Sequence, residues 1–139
     1  MNPSRRELAA LLPALAAAQS KAPKSKLVSK AYAYEALPVK ESNGNRQRAV
    51  LDGLTHTNYP LELHMTELAA GNAPHAPHQH VHEEILMLRT GALDVTIEGK
   101  TTRVSAGSVV YVASNELHGW KNPGPERAEY FVMAVGRES

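Results

Sequence analysis

Residues 75 to 84 read HAPHQHVHEE, four of the chain's seven histidines and two glutamates within ten positions. Imidazole and carboxylate are the side chains that hold first-row divalent metals through nitrogen and oxygen. On an extended chain, residues two apart point to the same side, so His78/His80 and His80/His82 can each share one ion. A helical site is excluded. Pro74 and Pro77 interrupt the segment, and Leu86 stands where the helical zinc pattern H-E-x-x-H needs its second histidine. The chain has no cysteine, which removes thiolate ligands, disulfides and thiol nucleophiles.

The elements that must position these side chains read as β. The 139 residues suit one domain. A formal net charge of +1 does not make the concentrated basic surface that nucleic acid requires, and no apolar run approaches the roughly 20 residues of a membrane-spanning helix. From about Tyr32 onward, short apolar runs alternate with turn residues every 8 to 12 positions, the spacing of a sandwich or barrel. Leu93–Ile97 alternates, turns at Glu98-Gly99 and resumes at Thr101, which predicts a hairpin. Val109–Val112 reads as a buried strand and Tyr130–Val135 as the last strand. In Leu61–Met65 the apolar character of Leu63 and Met65 turns them inward and His64 outward. No helix is expected past the N-terminus. The fold is all-β and antiparallel, closed or nearly closed to protect its strand edges.

The spacing of these residues resembles the two motifs of the cupin superfamily. The first is G-x5-H-x-H-x3,4-E-x6-G. With His78, His80 and Glu84, three residues precede the glutamate and six separate it from Gly91, as the motif requires. The frames that use His82 or Glu83 break it. Asn72 stands in the place of the opening glycine, after Gly71. The second motif, G-x5-P-x-G-x2-H-x3-N, is matched by Gly107, His118 and Asn122, with Ala113 for the proline and Asn115 for the second glycine. Asparagine tolerates positive φ better than most residues, so Asn72 and Asn115 are both able to supply left-handed turns. The resemblance implies an antiparallel double-stranded β-helix, a jelly-roll barrel over residues 32–139. It implies one divalent transition metal (Fe, Mn, Ni, Cu, Co or Zn) held by His78, His80, Glu84 and His118. Glu84 is then a ligand able to release and act as a base.

Leu86 and Leu88 share parity with Glu84, and Trp120 shares parity with His118. These three, with Tyr111 and Met133, are the expected pocket residues. His82 and Glu83 fall in a turn and read as solvated, His75 as a residue of the mouth or surface, and His56 as loop. The implied function is a metal-dependent enzyme acting on a small organic molecule, with dioxygenase-like chemistry favoured, or else a small-ligand-binding module without turnover. Ile85 and Met87 have the opposite parity and should form an outer apolar patch that pairs two chains as a homodimer. At the N-terminus, Ser4-Arg5-Arg6 precedes the apolar run Leu8–Ala18, which ends Ala16-Ala17-Ala18. That fits a twin-arginine export signal over residues 1–18, cleaved before Gln19, and a protein placed outside the cytoplasm. The alternative is an N-terminal amphipathic helix that docks on the domain or on a partner subunit, in a protein that stays in the cytoplasm. Residues 19–31 read as a linker or loose arm.

Overall fold

A computed structural model describes residues 22–137. They form one 3₁₀ turn, Tyr34–Ala36, and nine strands: β1 (Val39–Ser42), β2 (Asn45–Leu54), β3 (Pro60–Leu68), β4 (Glu83–Thr90), β5 (Ala92–Ile97), β6 (Lys100–Ser105), β7 (Val109–Val112), β8 (His118–Lys121) and β9 (Ala128–Val135). Two antiparallel sheets result, in the orders β1-β2-β3-β9-β4-β7 and β6-β5-β8. This is the jelly-roll architecture that the resemblance implies. The expected hairpin is β5–β6, paired from Ala92↔Ser105 to Ile97↔Lys100. Glu98 and Gly99 both have positive φ at its tip, as a tight hairpin turn demands. The described residues contain no helix long and apolar enough to cross a membrane.

Registers fix which side chains face inward. Glu84, Leu86 and Leu88 of β4 pair with Ala134, Val132 and Tyr130 of β9. Those three in turn pair with Glu62, His64 and Thr66 of β3. All nine therefore share the inner face of the large sheet. From the small sheet, Val95 pairs with Trp120 and Ile97 with His118. Leu68, Leu86, Leu88, Leu93, Val95, Trp120, Tyr130 and Val132 form the buried core between the sheets. Each leucine buried this way contributes about 2 kcal/mol.

The same register corrects five expectations, the first being Leu63, which pairs with Met133 on the outer face. His64 faces inward. Met65 faces outward, yet is only 2% exposed, because Tyr32, Tyr34 and Leu37 lie beside it against that face. Both faces of β3 are thus covered, and apolar alternation no longer marks the core side. Tyr111 and Met133, expected in the pocket, pair with Ile85 on the outer face. Strand β7 lies at the sheet edge, and Val109 and Tyr111 are exposed, so only its even-numbered side is buried.

Residues 1–18, the expected export signal, lie outside the described residues. Residues 22–31 do not hang free along their whole length. Lys26 bridges Leu54 in parallel, with Leu27 N–H donating to Leu54 O and Leu54 N–H to Ser25 O. Lys24 pairs with Asp52 at 2.6 Å.

Candidate metal centre

The loop before β4 is held in place by the start of β8. His78 N–H donates to His118 O and His118 N–H donates to His78 O, both at 2.9 Å. This single antiparallel bridge brings His78 against His118. Gly119 permits the approach, since a Cβ there would lie 3.3 Å from the Pro77 backbone. The other histidine of the loop is tied to the β7–β8 connection, where Asn115 N–H donates to His80 O at 2.7 Å. Asn115 has φ 62°, so it supplies the left-handed turn expected of it. Asn72 does not. The positive φ falls on Gly71, and Asn72 donates its amide to Asn43 O and Asn45 Oδ1, joining this turn to the β1–β2 hairpin.

Backbone carbonyls set the imidazole tautomers. His80 Nδ1 donates to His82 O and His118 Nδ1 to Glu116 O, each at 2.8 Å. Each ring keeps its Nε2 lone pair for another partner. Four polar atoms then converge: His78 Nδ1, His80 Nε2, Glu84 Oε2 and His118 Nε2 are buried and have no hydrogen-bond partner in the protein. Glu84 Oε1 lies 3.3 Å from His80 Nε2, and Glu84 Oε2 lies 3.3 Å from His118 Nε2. A cation with nitrogen and oxygen ligands at about 2.1 Å places adjacent donors roughly 3.0–3.4 Å apart, octahedral to tetrahedral, so small shifts of these pairs suffice to enclose one. The ligand atoms of His78, His80 and His118 all lie within 4.8 Å of one another. Burial first, then the neighbouring imidazoles His75, His118 and His80, push His78 below the usual histidine range, with Glu84 opposing. The neutral ring is the form that coordinates metal.

The remaining histidines are placed less simply. His82 is not fully solvated. Its ring stacks on His80 with centroids 3.6 Å apart, and its Nε2 lies 3.6 Å from Glu84 Oε1. His80, His82 and Glu84 thus form a second donor group, although the His82 side chain is 24% exposed. His75 is exposed, meets the His78 ring edge-on and lines the mouth. His56 is an exposed loop residue.

A cavity of about 400 Å³ opens beside Glu84, the one of the four donors that lines it. Glu84, Trp120, Tyr130 and Val132 line it, with His64 and Thr66 beside Val132 and Tyr130 on β3, Gln47 next to Thr66 on β2, and Lys40, Arg46 and His75 also in the lining. Of the expected pocket residues, Trp120 reaches it. Leu86 and Leu88 face inward but belong to the packed core beneath. Trp120 Nε1 donates to Tyr130 Oη at 2.9 Å, and burial pushes the Tyr130 hydroxyl up to about 12. The polar wall was missed in the sequence because β1–β3 lie outside the two motifs. Its detectable signal was His64 itself, within two residues of Glu62. His64 Nδ1 lies 2.9 Å from Glu62 Oε1, so the cavity holds a candidate acid–base residue beyond the donor set, where none was evident from sequence.

A family model described as Cupin domain matches residues 64–134. The protein described as KdgF from Halomonas sp. has 20% identity and a TM-score of 0.67, covering 79% of this chain and 96% of its own. The polyketide cyclase RemF from Streptomyces resistomycificus has 16% identity and a TM-score of 0.66, covering 80% and 82%. A predicted oxalate decarboxylase from Thermotoga maritima has 19% identity and a TM-score of 0.64, covering 78% and 100%. At such identities these likenesses show the fold. No curated protein matches the chain.

Proposed function

The chain belongs to the cupin family, and from that premise we propose that it holds one divalent transition-metal ion (Fe, Mn, Ni, Cu, Co or Zn) between His78, His80, Glu84 and His118 and acts on a small organic molecule. The observation that carries this reading is the set of four buried, unpartnered donor atoms converging from three parts of the chain. Leaving each unsatisfied would cost about 1–3 kcal/mol, and one coordinated cation satisfies all four.

When bound, the ion would supply Lewis acidity and open positions for oxygen-donor groups. The protein's own contribution is spatial and electrostatic. Leu86, Leu88 and Val132 keep the floor dry. Trp120, fixed by its bond to Tyr130, offers a flat aromatic wall. Glu84 Oε2 is held within the donor cluster rather than spent on a protein hydrogen bond. The favoured reaction class is dioxygen-dependent oxidation of a catechol-like or flavonol-like compound. Solved relatives with cyclase and predicted decarboxylase descriptions show that the fold does not decide the reaction. A binding module that retains its ligand without turnover is the second reading. Export past the cytoplasmic membrane, proposed from Ser4-Arg5-Arg6 and Ala16–Ala18, gives that reading a setting.

Elemental analysis of protein purified without added metal or chelator, followed by oxygen uptake with catechols and flavonols, tests both levels. Near-stoichiometric metal with uptake that disappears in His118→Ala supports the enzyme. Metal and tight ligand binding without uptake supports the module.

A further inference from the structure

We propose that His64, held by Glu62, is the proton-accepting residue of this cavity, facing a substrate bound at the donor cluster. The inference rests on the metal reading above. His64 sits on the inner face of β3, in register with Val132 and through it with Leu86. It lines the same cavity as Glu84, Thr66, Trp120 and Tyr130. It belongs to neither donor group that could hold a cation. Its side chain is 18% exposed, so it is a wall residue rather than a freely solvated one.

The pairing with Glu62 sets its chemistry. The hydrogen bond from His64 is the first cause that holds the Glu62 carboxyl below the usual carboxylate range, ahead of burial, which opposes it. Glu62 is therefore an acceptor at neutral pH, and it fixes the His64 proton on Nδ1. His64 Nε2 is left with its lone pair and has no protein partner among the described residues. This is a carboxylate-oriented imidazole, an arrangement suited to general-base work. The step is a simple transfer. A substrate O–H bond breaks, an N–H bond forms at Nε2, and the electron pair stays on the substrate oxygen. Glu62 stabilises the imidazolium, and the proton later leaves to product or water. The substrate class is a small molecule with an ionisable hydroxyl, an enol or a catechol. Glu62 on β3, Glu84 on β4, Tyr130 on β9, Lys40 on β1, Arg46 on β2 and His75 on the loop are the charged or titratable groups around that wall. Lys24 and His82 also act on Glu62.

The test uses the full chain loaded with Zn²⁺, as wild type, His64→Gln and Glu62→Gln, with nitrocatechol as a coloured probe. All three proteins should hold the same metal per chain. Wild type should bind the probe as its dianion at neutral pH. In His64→Gln the pH midpoint of dianion binding should rise by about one unit, roughly tenfold weaker binding at neutral pH, with Glu62→Gln in between. An unchanged midpoint in His64→Gln overturns the proposal. A long-range ¹H–¹⁵N spectrum of the metal-free chain gives a second, independent decision. An Nδ1–H tautomer at His64 supports the proposal, and an Nε2–H tautomer overturns it. If wild type retains no metal, the metal reading fails and the tautomer alone decides the role of His64.

Discussion

Two donor groups share His80, and replacing one histidine from each separates them. His78 contributes a buried nitrogen without a protein partner. His82 contributes a partly exposed ring that stacks on His80. His78→Ala removes one of four donors, which should cost more than the roughly 10–100-fold typical of losing an outer-sphere partner. His82→Ala leaves all four in place and should weaken binding by less than about tenfold, through a looser His80 ring and one fewer wall beside Glu84. With metal supplied at about 100 times the wild-type dissociation constant, binding stabilises the native state by about 2.7 kcal/mol. For a chain near 140 residues that corresponds to a rise in Tm of roughly 5–11 °C, at about 2–4 °C per kcal/mol. Wild type and His82→Ala should both show most of this rise, while His78→Ala should show less than about 1 kcal/mol of it. Elemental analysis after desalting provides the matching occupancy. Loss of metal and of the thermal shift in His82→Ala, with both kept in His78→Ala, would refute the motif register and move the ion to the second group.

Other consequences are open to direct measurement. Gly91 has φ 80° and a Cβ there would lie 2.7 Å from Arg127 O, so Gly91→Ala should lower stability by about 2–4 kcal/mol in a denaturant melt. Burial would raise the Glu67 carboxyl, but the bonds it accepts from Arg48 and Tyr34 outweigh this and leave it below the usual range. A depressed folded pKa gives stability above the unfolded value that is lost as pH falls through the folded one. Glu67→Gln should therefore cost about 1–3 kcal/mol at neutral pH, and its melting curve should converge on wild type in acid. Ile85 and Met87 share the outer face with exposed Tyr111 and Val109. The proposed homodimer should give a two-chain mass by light scattering, and Ile85→Lys with Met87→Glu should give one chain with its metal retained. Mature protein from the native host should begin at or near Gln19, and full-length protein confined to the cytoplasm would remove the export proposal.

What could be read from the sequence divides along a physical line. The fold and the four candidate donors were legible because barrel turns and ligand spacing are local. His80 and Glu84 are four apart, and Gly107, Asn115 and His118 sit within one strand–turn–strand unit whose backbone constraints are written in residue types. The part of the cavity wall that β3 supplies was not legible. Whether His64 faces in or out depends on the register between β3 and β9, and the sequence could only weigh it by hydrophobicity. That rule presumes one wet face. Here residues 32–37 lie along the outer face beside Met65 and Phe131, so an apolar residue is at home on either side and the rule chose the wrong one. Met133 and Tyr111 were misplaced for a related reason, because an outer face carrying Ile85, Met87 and Phe131 reads like a core. The pairing of His64 with Glu62 shows how the inward position becomes tolerable. A histidine among Val132, Leu86 and Thr66 is costly to bury alone, whereas one whose Nδ1–H meets a carboxylate 2.9 Å away has one of its two polar atoms satisfied. The other is left facing the cavity that Glu84 also lines.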